Sequence, residues 1–221
     1  MFDAAANTPD DDFALSASWS DASAQPDAMM QSTGIVAGTL IATAMGWRPV
    51  EGIVAGDVVM TFDHGPRPVI AVKRMQLCLG ARNCPRHFKP LAVPAGALGN
   101  KVEMLLLPEQ TVLVESDAAE AAFDDPFALI QAAALEGYRG IARVSPHYKI
   151  DVVVPEFECE EVIYANGTGM MHCGSIMRDD LAKQVSPDAS LYNPLPMEMA
   201  CSLVGKMIAQ DVWGTPACAN E

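Results

Sequence analysis

The chain has 221 residues, half of them hydrophobic, and a formal net charge of −14, which suits one sizeable core with extensions better than two full domains. That balance excludes nucleic acid as a partner, because a duplex needs a basic stripe to displace its counterions and the only basic groupings are Lys73-Arg74 and the short run Arg82, Arg86, Lys89. The longest apolar runs, such as Met104–Leu107 and Val152–Val154, fall far short of the roughly 20 residues that cross a bilayer, so a helical membrane protein is excluded as well.

Residues 1–33 hold six Asp, and the first basic residue of the chain is Arg48. With few aliphatics and no sustained period, this stretch reads as a disordered acidic tail. It lacks the basic start and apolar core of a secretory signal. A cytoplasmic protein is therefore expected, with only a non-classical export route left open.

From Gly34 the character changes to strand and turn. Between Gly38 and Arg74 the runs Thr39–Thr43, Val58–Phe62 and Val69–Val72 alternate with turns at Met45-Gly46, Ala55-Gly56-Asp57 and His64-Gly65-Pro66, the pattern of a meander. Residues 75–100 read as a long connection in which Pro85, Pro90 and Pro94 exclude a helix. Strands follow at Val102–Leu107 and Thr111–Val114. Asp125, Pro126 and Gly137 then frame a predicted helix over 125–137, as a cap, a first-turn proline and a terminator. Strands resume at Tyr148–Val154 and Cys159–Ala165, with a turn at Asn166-Gly167. The composition shifts again beyond Gly174, and a C-terminal amphipathic helix is predicted over 196–212. Its stripe of Met197, Ala200, Cys201, Val204 and Ile208 either packs on the chain's own core or docks a partner.

The six cysteines have no repeated spacing and no CxxC pair, so reduced thiols are expected and zinc is not. Cys78 and Cys84 could close a small loop if the chain is exported. Cys84 and His87 make a two-ligand corner that lacks further ligands. His64 reads as a solvated turn residue, and His147 and His172 suggest no catalytic pairing. Glu158 and Glu160 flank Cys159 and disfavour a thiolate there. No phosphate loop, nucleophile elbow or zinc-protease motif occurs. No cofactor or metal is called for.

Three blocks, GTLIAT with RPVEGIVAGDVVMTFDHGPRPV, LAVPAGALGN with LLLPEQTVLV, and ECEEVIYANG, closely resemble the hedgehog/intein (Hint) domain family in its bacterial form, across roughly residues 34–173. The resemblance implies a mostly β, horseshoe-like fold with one short internal helix, followed here by the C-terminal helix. It also implies a self-processing activity. In that family a cysteine four residues before the Gly-Thr pair attacks the preceding carbonyl, a histidine of the second block protonates the departing nitrogen, and hydrogen-bond donors stabilise the oxyanion.

Carried onto this sequence, the nucleophile position falls on Gly34, the second-block histidine on Gln110 and the third-block histidine on Glu160. Gly34 has no side chain, and Gln110 cannot transfer a proton near neutral pH. Thr33 and Ser32 lie one and two residues upstream, each step displacing the backbone by about 3.8 Å. The expectation is therefore a degenerate member that acts as a structural or protein-interaction module, with Met197, Cys201, Val204 and Ile208 as contact residues for a protein partner. The alternative is self-processing through a non-standard nucleophile, with Ser32, Thr33 or Cys173 as candidates.

Overall fold

The computed structural model describes residues 33–78, 85–145, 149–176 and 192–214. The acidic tail up to Ser32, Cys84 and His147 lie outside them, as does the side chain of Cys78, so the Cys78–Cys84 loop and the Cys84–His87 corner fall outside too. In chain order the strands are β1 (Ile35–Val36), β2 (Leu40–Thr43), β3 (Gly46–Pro49), β4 (Val58–Thr61), β5 (Gly65–Pro68), β6 (Ala71–Cys78) and β7 (Leu91–Val93). They continue with β8 (Met104–Leu106), β9 (Thr111–Glu115), β10 (Phe127–Gln131), β11 (Ala142–Arg143), β12 (Lys149–Glu156), β13 (Glu161–Ala165) and β14 (Gly169–Cys173). The helices are α1 (Asp117–Phe123) and α2 (Met197–Gly214).

These strands form two antiparallel sheets. One runs β11-β7-β8-β1-β12-β6, and the other runs β10-β9-β14-β13-β2-β4-β5, with β3 paired to β2. The curled, mostly β architecture with one internal and one C-terminal helix is the horseshoe-like fold expected. Its core joins residues of both sheets and α2, among them Ile35, Leu106, Ile130, Phe157, Ile163 and Leu203.

The charged and amide residues of the three blocks hold turns. Asp57 accepts a hydrogen bond from the Val54 amide at 2.9 Å and pairs with Arg48 Nη1 at 3.0 Å. The amide and then the guanidinium hold its carboxyl below the usual range. Glu51 Oε2 accepts from the Gly38 amide at 2.9 Å. Buried Asn100 accepts from Leu98 N and donates to the carbonyls of Pro94 and Val102, while Asn166 Oδ1 accepts from Leu40 N. Gly99 (φ 76°) is required where its loop meets the β13–β14 turn, since a Cβ there would lie 2.1 Å from Thr168 Oγ1.

The stretch 125–137 is not a helix. Residues 127–131 form β10, in register with β9 from Phe127↔Glu115 to Gln131↔Thr111, and Ala132–Leu135 make a 3-10 turn. Asp125 Oδ1 accepts from the Phe127 amide at 2.9 Å and forms an Asx turn. A ladder that buries Ala128, Leu129 and Ile130 outweighs helix propensity, which differs by only about 0.7 kcal/mol per ordinary residue. The internal helix is instead α1, where Ser116 Oγ accepts from the Ala119 amide at 3.1 Å and Asp117 and Glu120 occupy the first turn. The stretch 75–100 is not a connection throughout. Its start belongs to β6, which pairs with β12 from Ala71↔Glu156 to Cys78↔Lys149, and farther on Arg86–Phe88 make a 3-10 turn and β7 pairs with β8 from Leu91↔Leu106 to Val93↔Met104.

Helix α2 packs on α1, β10 and the 132–135 turn through Ala200, Leu203, Val204 and Met207, all buried. The chain's own core thus covers one side of it, and the buried stripe is rotated from the one read in the sequence. Val204 is inside, whereas Met197, Cys201 and Ile208 remain exposed. Arg139, in a left-handed conformation (φ 43°), ties α2 down with a two-pronged contact to Asp211, Nε to Oδ2 at 2.7 Å and Nη2 to Oδ1 at 2.8 Å. The eight-stranded sheet ends on one side at β5, with Pro66 and Pro68, and on the other at β10, whose Leu129 carbonyl accepts from the Leu195 amide at 2.8 Å. No helix among the described residues is long and apolar enough to cross a membrane.

Candidate functional site

Gly34 stands just before β1, the strand between β8 and β12 in the six-stranded sheet. Its φ of 127° is a conformation that side-chain-bearing residues rarely adopt. A Cβ built there would lie 2.5 Å from Val152 Cγ1 and 2.9 Å from Val154 Cγ2, closer than carbon atoms pack. The two β12 valines therefore occupy the volume that a nucleophilic side chain would need.

Gln110 meets this point from the turn that opens β9. Its Oε1 accepts from the Gly34 amide at 2.9 Å, and its Nε2 donates to the carbonyls of Thr111 at 2.9 Å and His172 at 2.8 Å. The side chain is buried, and both amide protons and the carbonyl oxygen are used. A neutral imidazole has one donor and one acceptor and could not serve all three partners. The arrangement joins the start of β1 in one sheet to β14 in the other.

Glu160, at the third position read from the sequence, is buried beside β14 and lies 3.8 Å from His172 Nε2, beyond hydrogen-bond length. That nitrogen has no hydrogen-bond partner among the described residues. The imidazole is covered by the Tyr192 ring, edge-on with centroids 5.5 Å apart, and the Tyr192 hydroxyl donates to Asp63. Burial pushes His172 down to about 4, so it is neutral at pH 7 and is no proton donor of the imidazolium kind.

The unfolded chain takes up the His172 proton below its ordinary pKa of 6.5, whereas the folded chain takes it up only near 4. Stability therefore falls as pH drops from 6.5 to 4. The loss is at most about 3.5 kcal/mol, because the shift from 6.5 to about 4 is worth about 1.4 kcal/mol per pKa unit. Urea unfolding at pH 7 and at pH 4.5 is expected to show this slope in the parent protein and its reduction in His172→Phe.

The other residues singled out by sequence do not gather at Gly34. His64 is an exposed residue of the turn after β4, as read in the sequence, and its Nδ1 also lies 2.9 Å from Oε2 of buried Glu161, which Arg67 approaches at 3.7 Å. Cys173 is buried next to that carboxylate. Burial first, and the Glu161 charge second, push its thiol up to about 12, leaving it a poor nucleophile. Thr33 and Cys159 are exposed, and Ser32 lies outside the described residues. His87 packs its ring on Phe88, with centroids 4.1 Å apart. Val152, Val154 and Tyr192, which close the site, gave no signal in the sequence beyond that of ordinary strand and loop residues.

Residues 33–173 match the family model described as Hint domain. Among solved structures, the chain is similar to the bacterial intein-like domain from Clostridium thermocellum, with 15% identity and a TM-score of 0.41 over 65% of this chain and 99% of that one. It is similar also to the gp41-1 intein, at 13% identity and a TM-score of 0.40 over 64% and 98% of the two chains. A third likeness, at 14% identity and a TM-score of 0.40 over 63% and 98%, is to the MchDnaB-1 intein. No curated protein matches the sequence.

Proposed function

The chain belongs to the Hint-domain family, and from that premise we propose that it is a non-processing member, a structural module that offers a surface to a protein partner. The observation that carries this reading is the occupation of the nucleophile's place. Position 34 has neither a reactive group nor room for one, because Val152 and Val154 fill the space a Cβ would enter. The amide at Gln110, spent on three hydrogen bonds, supports it, since that group holds the scaffold and has no labile proton to give. The contact surface is the exposed row Met197, Cys201 and Ile208 on α2. Val204 takes no part in it, being buried beneath.

One preparation of the full chain tests both halves. Its intact mass should stay that of the uncleaved chain after prolonged incubation with and without dithiothreitol, and a thiol-dependent fragment beginning near Gly34 overturns the non-processing reading. A partner captured by the parent protein should be lost from a Met197→Glu, Ile208→Glu variant of unchanged circular dichroism. Equal capture by both removes α2 from the surface.

A further inference from the structure

Residues of β9, β10, β13 and β14, together with the 97–99 loop, Tyr138, Arg139 and Met207 of α2, line a groove of about 350 Å³, within the size range of small-molecule sites. Phe127 stands directly opposite Glu115, and Met170 pairs with Leu113 on one side and Tyr164 on the other. Phe62, following β4, closes the row. Its ring lies 4.9 Å from that of Phe127 and 6.4 Å from that of Tyr164, tilted by 64° and 65°. All three rings are only partly buried and line the groove.

We propose that this groove binds a small organic cation, a quaternary ammonium compound, held by the faces of Phe62, Phe127 and Tyr164 and by the Glu115 carboxylate. Aromatic faces carry the negative part of the ring quadrupole and attract a cation placed over them. Glu115 is exposed and makes no hydrogen bond or ion pair among the described residues. The one cation in the lining, Arg139, is already neutralised by Asp211 and lies over the Tyr138 ring. Arg139, Asp211 and Glu115 together leave one negative charge at the groove, and the chain's charge of −14 raises the local concentration of cations.

The lining also selects the kind of cation. An ammonium with N–H groups needs hydrogen-bond acceptors once it leaves water. The Thr168 hydroxyl at the rim is already engaged with the Gly99 carbonyl at 3.1 Å, and the Glu115 carboxylate alone cannot serve the three N–H groups of an ammonium. A quaternary nitrogen has no N–H to satisfy and needs only the Glu115 charge and the aromatic faces.

The test is a titration of the full chain with choline and with its neutral isostere, in which carbon replaces the nitrogen, followed through the aromatic ring resonances. Choline should bind with a dissociation constant on the order of 1 mM, shifting Phe62, Phe127 and Tyr164, and the isostere should bind roughly tenfold more weakly. Glu115→Gln, a change on the exposed rim, should weaken choline several-fold and leave the isostere unchanged. Tyr164→Leu should weaken choline more than the isostere. Equal affinity for the two compounds, shifts confined to other residues, an absence of saturable binding, or binding restricted to lysine-containing peptides each overturns the proposal. The Glu115→Gln comparison decides the matter even if Tyr164→Leu fails to fold.

Discussion

A Gly34→Cys variant is expected to be less stable than the parent by about 4 kcal/mol and to release no cleavage product. Two costs add. A non-glycine residue must be held at a φ of 127°, for which backbone strain of about 1–3 kcal/mol is typical. Its Cβ must also displace Val152 Cγ1 and Val154 Cγ2, at 2.5 and 2.9 Å, and overpacking of that kind costs about 1–3 kcal/mol. Chemical denaturation measures the first outcome and intact mass the second. A Gly34→Cys protein as stable as the parent contradicts the view that the valines close the site. One that cleaves itself shows that the scaffold still positions a thiol, a result that the geometry at Gly34 argues against.

Gln110→Ala should destabilise the domain by about 3–4 kcal/mol. The substitution strips partners from the Gly34 amide and from the Thr111 and His172 carbonyls. A buried polar group left without a partner costs about 1–3 kcal/mol, and at the carbonyls a second lone pair softens the loss. Gln110→His, which puts an imidazole where the family resemblance expects one, should fall between alanine and the parent because it can serve some of the three partners and not all. If the histidine variant equals the parent in urea, the hydrogen bonds at Gln110 are worth less than the geometry implies.

The parts of the fold legible in the sequence are those whose residues act locally. Glu51, Asp57, Asn100 and Asn166 recur in the resembling blocks, and each holds a turn or a strand end by hydrogen bonds to backbone, so the motifs point to the scaffold they build. The segment 125–137 was not legible, because its caps and propensity are helical while the ladder to β9 and the burial of Ile130 decide its conformation. The emptiness of position 34 could be read directly. That Val152 and Val154 fill the space, more than 100 residues later in the chain, could not, because nothing in a run of valines tells which neighbour it meets. The aromatic groove was hidden for the same reason, as its rings come from separate strands that only the pairing register brings side by side.

The two ends of the eight-stranded sheet bear on whether copies of the chain can stack. A row of unpaired backbone amides invites another strand to add itself and start a fibre. At β5, two of the four residues are Pro66 and Pro68, which have no N–H to offer. At β10, the Leu195 amide already occupies the Leu129 carbonyl. An incoming strand thus finds missing donors at β5 and a taken acceptor at β10, so at these two edges the addition of a second copy is opposed by residues that lie at none of the positions read as catalytic in the sequence.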